Sequence, residues 1–179
     1  MTIDILLQSV ENARNTFITE ASGLTHAQAN YQPDPTSWNI VAIVEHIVRA
    51  EQSGISGLWK AFDGLQRGEP VWEGDPIHHG LSVEEIVAKT WLPKEVVPPI
   101  AAPQWGGSLA FWLAMLKAQR SMLADLGQAL AGHDLEGIVY PHPISGPMDA
   151  KQRLEFLRFH LERHQAQIQA VKASAGYPT

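Results

Sequence analysis

Proline divides this chain. It stands at 33 and 35, at 70 and 76, four times between 93 and 103, three times between 141 and 147, and at 178. The proline ring removes a backbone donor and clashes with the preceding turn, so it is poorly tolerated inside a helix and marks connections instead. Long helices are therefore confined to the intervals 1–32, 36–69, 104–140 and 148–177, with a shorter proline-free interval at 77–92.

Each long interval repeats its apolar residues at three- and four-residue steps, the period of a one-sided helix. In the first the stripe is Ile3, Leu6, Leu7, Val10, Phe17, Ile18 and Leu24. In the second it is Ile40, Ile43, Val44, Ile47, Gly54 and Leu58. In the third, Leu109, Trp112, Leu116, Leu123, Leu126 and Leu130 follow Ser108, a candidate N-cap. In the fourth, Leu154, Leu157, Leu161, Ile168 and Val171 follow Asp149, another candidate cap. Gly132 and Gly176 stand where helix stops belong. Ser82 ahead of Glu84 and Glu85 predicts a small extra helix in the short interval.

Four helices over about residues 3–23, 37–65, 108–131 and 149–174 predict an all-α four-helix bundle, built as one domain over 1–179. Residues 66–107 are too many for a hairpin loop, so a long crossover connection carrying the extra helix joins the second and third bundle helices. No strand is expected: Val96-Val97 is hemmed in by Pro93 and Pro98-Pro99.

Composition then restricts the chemistry. There is no cysteine, which excludes disulfides, zinc ribbons, iron–sulfur clusters and a thiol nucleophile from the chain itself. Any metal needs nitrogen or oxygen ligands, and eight histidines can supply nitrogen. Lys and Arg number 13 against 19 Asp and Glu, with no basic run, so binding to nucleic acid is not expected. No apolar run is long enough to span a bilayer, and Met1-Thr2-Ile3-Asp4 lacks the basic flank of a signal peptide. The expectation is a soluble cytoplasmic protein without membrane partners.

His160 and His164 are four apart in the fourth interval, so their rings share one helix face. At 100° per residue that face is the arc of Leu157, Leu161, Ile168 and Val171, while Arg158, Glu162 and Gln169 point elsewhere. His46 borders the Ile43/Ile47/Gly54 stripe of the second helix, and two facing helices can then present a two-plus-one set of imidazoles. Three neutral histidines leave a divalent ion's charge uncancelled and coordination positions open, which suits a Lewis acid or an activated water rather than a closed structural site. The same positions also suit core-edge histidines satisfied by backbone or water, and spacing does not separate the two. His78 and His79 read as solvated loop, His26 as solvated near the end of helix one, and His133 as a helix-end residue. His142 precedes the fourth helix as a loop residue within reach of a site mouth. Glu45 and Glu51 point away from His46 and read as structural or solvated.

Taken in order, these elements resemble the DinB/YfiT-like superfamily of bacterial metal-binding four-helix bundles. The shared features are Pro33 and Pro35 ahead of the second helix, then Trp38, His46 and Glu51, and His160-x-x-x-His164 followed by Gln167-Ile168 in the last helix. The resemblance covers essentially the whole chain. It implies His46, His160 and His164 as ligands of a divalent metal ion, and a homodimer. Asn39, two turns before His46, Gln167, one turn beyond His164, and His142 are candidates to support the metal or touch substrate.

Members of that superfamily include transferases that conjugate a low-molecular-weight thiol to an electrophile, thiol-using isomerases and proteins of no established activity. The expectation is therefore a transferase using zinc or nickel, with a small-molecule thiol and an electrophile such as an epoxide or alkyl halide as substrates. A metal-dependent hydrolase and a non-catalytic binding or stress-response module are the alternatives. With no cysteine in the chain, the sulfur of any thiol chemistry arrives with the substrate.

Overall fold

The computed structural model of the chain describes residues 2–74, 77–92 and 96–179. Met1, Pro76 and Pro93, used above to read the N-terminus and to bound the intervals, lie outside the described residues. The helices are α1 (Ile3–Ala21), α2 (His26–Asn30), α3 (Ile40–Gln66), α4 (Val83–Thr90), α5 (Leu109–Leu130) and α6 (Ala150–Lys172). A two-stranded antiparallel hairpin, β1 (Val139–His142) and β2 (Gly146–Asp149), leads into α6. Helix α1 packs on α6 and α5, and α3 packs on the same two, so α1 and α3 face each other across the diagonal of a four-helix bundle.

The inward stripes are those of the apolar period. Leu6, Val10 and Phe17 of α1, Ile40, Ile43, Val44, Ile47 and Leu58 of α3, Leu116, Leu126 and Leu130 of α5, and Leu154, Leu161 and Ile168 of α6 are almost wholly enclosed. Each such side chain contributes about 1.5–3 kcal/mol by leaving water. Asn39 caps α3 by accepting from the Ala42 amide at 2.8 Å. Asp149 caps α6 in a reciprocal box with Gln152. Ser82 forms the same box with Glu85 at the start of α4, the small helix expected there. Ser108 occupies the N-cap position of α5 but makes no side-chain cap bond. Gly132, two residues past the end of α5, takes φ +79°, the left-handed conformation that stops a helix.

The hairpin was not foreseen, because Pro141 and Pro147 stand opposite each other in its register and give the sequence the look of a plain connection. Four residue pairs nevertheless form the ladder, and Tyr140 packs against α3 where Gly57 leaves room. A Cβ on Gly57 would come within 2.3 Å of the Tyr140 ring. His26, placed near the end of helix one, instead begins the separate one-turn helix α2, where it is exposed.

The described parts of the connection between α3 and α5 are held by hydrogen bonds to α6 and the hairpin. Gln152 of α6 donates to the carbonyls of His78 and Leu81 at 2.7 and 3.1 Å. His78, expected in solvent, is buried, and its Nε2 donates to the Ser145 carbonyl at 2.6 Å. Thr90 and Trp91 both donate to the Ser145 hydroxyl at 3.0 Å. Val83, Ile86, Met148 and Phe156 form a second, smaller apolar cluster, which seats α4 against α6 and the hairpin.

Glu45 and Glu51 are structural, as read, but neither is solvated. Glu45 is fully buried and its carboxylate accepts from the amides of Gln104, Trp105 and Gly106, at 2.6, 2.9 and 2.8 Å. Arg49, one turn later, donates to the carbonyls of Ile100 and Pro99. The end of the connection is thereby strapped over α3 beside His46. Glu51 pairs across the bundle diagonal with Arg14 of α1, which also binds Glu11 at 2.6 Å. Among the described residues, no helix is long and apolar enough to cross a membrane.

Candidate metal centre

His46 comes from α3, and His160 and His164 stand one turn apart on α6. All three rings are buried, and their nitrogens converge. The Nε2 of His160 lies 3.1 Å from the Nε2 of His46 and 3.0 Å from that of His164. The far sides of two rings are fixed. His46 Nδ1 meets the Ala101 carbonyl at 2.8 Å, and His164 Nδ1 meets Gln167 Oε1 at 2.7 Å. Both partners only accept, so Nδ1 must carry the hydrogen in each case and Nε2 is left a bare lone pair.

That tautomer assignment decides what the cluster can hold. His160 Nε2 carries at most one hydrogen, which can serve only one of its two neighbours. At least one of the two close approaches is then lone pair against lone pair, an arrangement that a cation among the three nitrogens relieves. Nitrogens bonded at roughly 2.1 Å to one ion, at an angle of roughly 90–100°, lie about 3.0–3.2 Å apart. The donor set therefore fits a metal ion in both chemistry and spacing.

Burial keeps the imidazoles in the neutral form that a metal requires. It pushes His160 well below its ordinary value, with the neighbouring histidines adding to the effect. It also lowers His46, and takes His164 down to about 3. An unfolded histidine takes up its proton near pH 6.5. Between that pH and about 3 the unfolded chain holds more protons than the folded one, so stability falls as the solution is acidified. The stabilisation is complete above about pH 6.5 and is lost progressively toward pH 3. For metal-stripped protein, urea unfolding at pH 5 should give a free energy lower than at pH 7.5, by about 2 kcal/mol from His164 alone.

Aromatic rings frame the cluster. Trp38 stacks on His164 with centroids 6.3 Å apart, and Phe156 stacks on His160 at 5.3 Å. Beyond them opens a cavity of about 650 Å³, a size suited to a small molecule. It is walled by Trp91 and Phe156 on one side and by Val97, Ile100 and Ala101 of the connection on another. The connection thus covers the site and also supplies, through Ala101, the carbonyl that orients His46.

A family model for the DinB superfamily matches residues 9–168. The chain belongs to the DinB superfamily. No curated protein and no solved structure matches it. The buried three-histidine group fits a metal-binding DinB-superfamily protein and could hold the ion.

The other residues singled out in this DinB-superfamily chain fall in distinct places. Gln167 lines the cavity and fixes His164. Its replacement by Ala should weaken metal binding about 10–100-fold, the usual cost of losing such an outer partner, as read by competition with a chromophoric chelator. His142 ends β1 and lines the cavity between Trp91 and Phe156, with centroids at 6.0 and 4.5 Å. Burial takes it down to about 3, and its Nδ1 accepts from the Ile144 and Ser145 amides. Asn39 is occupied as the α3 cap. His79 and His133 are exposed, the latter edge-on to Phe62. Sequence reading passed over Arg153, which also lines the cavity. Its signal was available: it stands two turns before His160, a charge on the apolar face of α6.

Proposed function

We propose that this chain is a transferase that conjugates an external low-molecular-weight thiol to an electrophilic small molecule, using zinc or nickel held by the Nε2 atoms of His46, His160 and His164. The observation that carries the reading is the convergence of three buried imidazole nitrogens at the edge of a largely apolar cavity, in a chain without cysteine. A divalent ion bound there supplies Lewis acidity, lowering the pKa of a thiol so that its nucleophilic form is available at neutral pH.

The chain's own residues hold and shield. Gln167 and the Ala101 carbonyl keep the His164 and His46 rings in the tautomer and orientation that present Nε2. Trp38, Trp91, Phe156 and Ile100 give the electrophile an apolar wall and keep water away from it. Among the described residues no Asp or Glu lines the cavity. The described wall is thus apolar and basic, a surface that suits an apolar electrophile and an anionic thiolate.

The test is an assay of zinc- or nickel-loaded protein with a panel of small thiols and a chromogenic alkyl or aryl halide. Product formation that needs both the metal and the thiol, and that disappears in His160→Ala, is the expected result. Turnover of the electrophile without any thiol would instead indicate a hydrolase.

A further inference from the structure

Arg153 is buried, with 6% of its surface exposed, and among the described residues no carboxylate pairs with it. Its Nε and Nη1 are enclosed without a hydrogen-bond partner among the described residues. Its guanidinium lies over the rings of Tyr140 and Phe156, at 5.8 and 5.9 Å. Its Nη2 lies beside Gly54 of α3, 3.6 Å from where a Cβ would stand. Burial brings its pKa down to about 10, which still leaves it charged at neutral pH.

An uncompensated cation with idle donors is costly inside a protein, and an apolar side chain of similar length serves packing at least as well. Arg153 faces the cavity that the three histidines border. A second arginine on that wall, Arg163, is exposed and sits 5.5 Å over the Trp91 ring. With two arginines and no acidic side chain among the described lining residues, the cavity attracts anions.

We propose that Arg153 is the anion-binding residue of this cavity and that one substrate carries a carboxylate, seated on the Arg153 guanidinium. The planar fork matches a carboxylate in shape, pairing two N–H groups with its two oxygens, whereas a phosphate, with three equivalent oxygens, calls for more donors than this guanidinium offers. The proposal names a charged group on a substrate of the thiol-transfer reading, and rests on that reading for taking this cavity as the substrate site.

Zinc-loaded protein can be titrated calorimetrically with succinate, mercaptosuccinate, 2-mercaptoethanol and inorganic phosphate, with Arg153→Met and Arg153→Lys beside the parent chain. Succinate and mercaptosuccinate should bind the parent and lose about 10–100-fold in affinity in Arg153→Met, the effect of removing a charge-assisted pair. The affinity for 2-mercaptoethanol should change by less than about twofold, because a neutral thiol makes no charge-assisted bond to Arg153. Ligand-free Arg153→Met should melt at or above the parent temperature, since the idle donors are gone. Arg153→Lys keeps the charge without the fork and should fall between; it carries the test if the Met variant does not fold.

Equal succinate affinity in the parent and both variants overturns the proposal, as does a lower melting temperature with unchanged succinate binding. Phosphate binding tighter than succinate and dependent on Arg153 overturns the carboxylate assignment. The thiol reading fails separately: if 2-mercaptoethanol does not bind while succinate binds through Arg153, thiol transfer falls and the anion site stands.

Discussion

A His160→Ala protein will bind zinc or nickel at least about 100-fold more weakly than the parent chain. His160 is the shared vertex of the cluster, since its Nε2 lies within 3.1 Å of both other Nε2 atoms. Losing an outer partner of a ligand costs about 10–100-fold, and losing the ligand itself costs more. The cleanest readout is thermal. An ion that binds only the folded state adds about 4 kcal/mol of stability at a thousand times its Kd. The parent chain should therefore melt markedly higher with metal, and His160→Ala should gain at most about a third as much stability at the same concentration. Comparing each protein with and without metal separates ligation from the packing lost with the ring.

Glu51→Ala should cost about 3–5 kcal/mol of folding stability and leave metal affinity unchanged. Arg14 is fully enclosed between α1 and α3, and its ion pair with Glu51 crosses the bundle core. Burial raises the Glu51 carboxyl, while the Arg14 guanidinium beside it acts in the opposite direction. Removing one partner strands the other charge in the interior, which is the expensive way to break such a pair. Glu11 still reaches Arg14, but from a partly exposed position. Urea unfolding at neutral pH measures the loss. Replacing both partners together, as Arg14→Met with Glu51→Leu, should recover most of it, because apolar residues of similar volume fill a core without stranding a charge.

The bundle was legible because proline and apolar period agreed about where helices could run. The His160/His164 pair was legible because a four-residue spacing on an apolar arc puts both rings on the inner face of α6. Other features depend on contacts between distant parts of the chain. Glu45 has the sequence of an ordinary helix-face acid; only the return of residues 104–106, about sixty positions later, gives its carboxylate three amides to bind. His78 lies in a glycine- and proline-rich stretch that resembles solvated loop, and it is buried because Ser145 and Gln152 come to it from the hairpin and α6. The hairpin's opposed prolines hide a strand pair that gains its place from Tyr140 packing on Gly57. Arg153 differs from these, since its position two turns ahead of His160 already put a charge on an apolar face.

The most direct test of the account is an anomalous difference map at the zinc edge from a crystal of zinc-loaded protein. A single strong peak is expected about 2.0–2.1 Å from the Nε2 atoms of His46, His160 and His164. A map with no peak there, with the three imidazoles bonded to one another or to water, would contradict it.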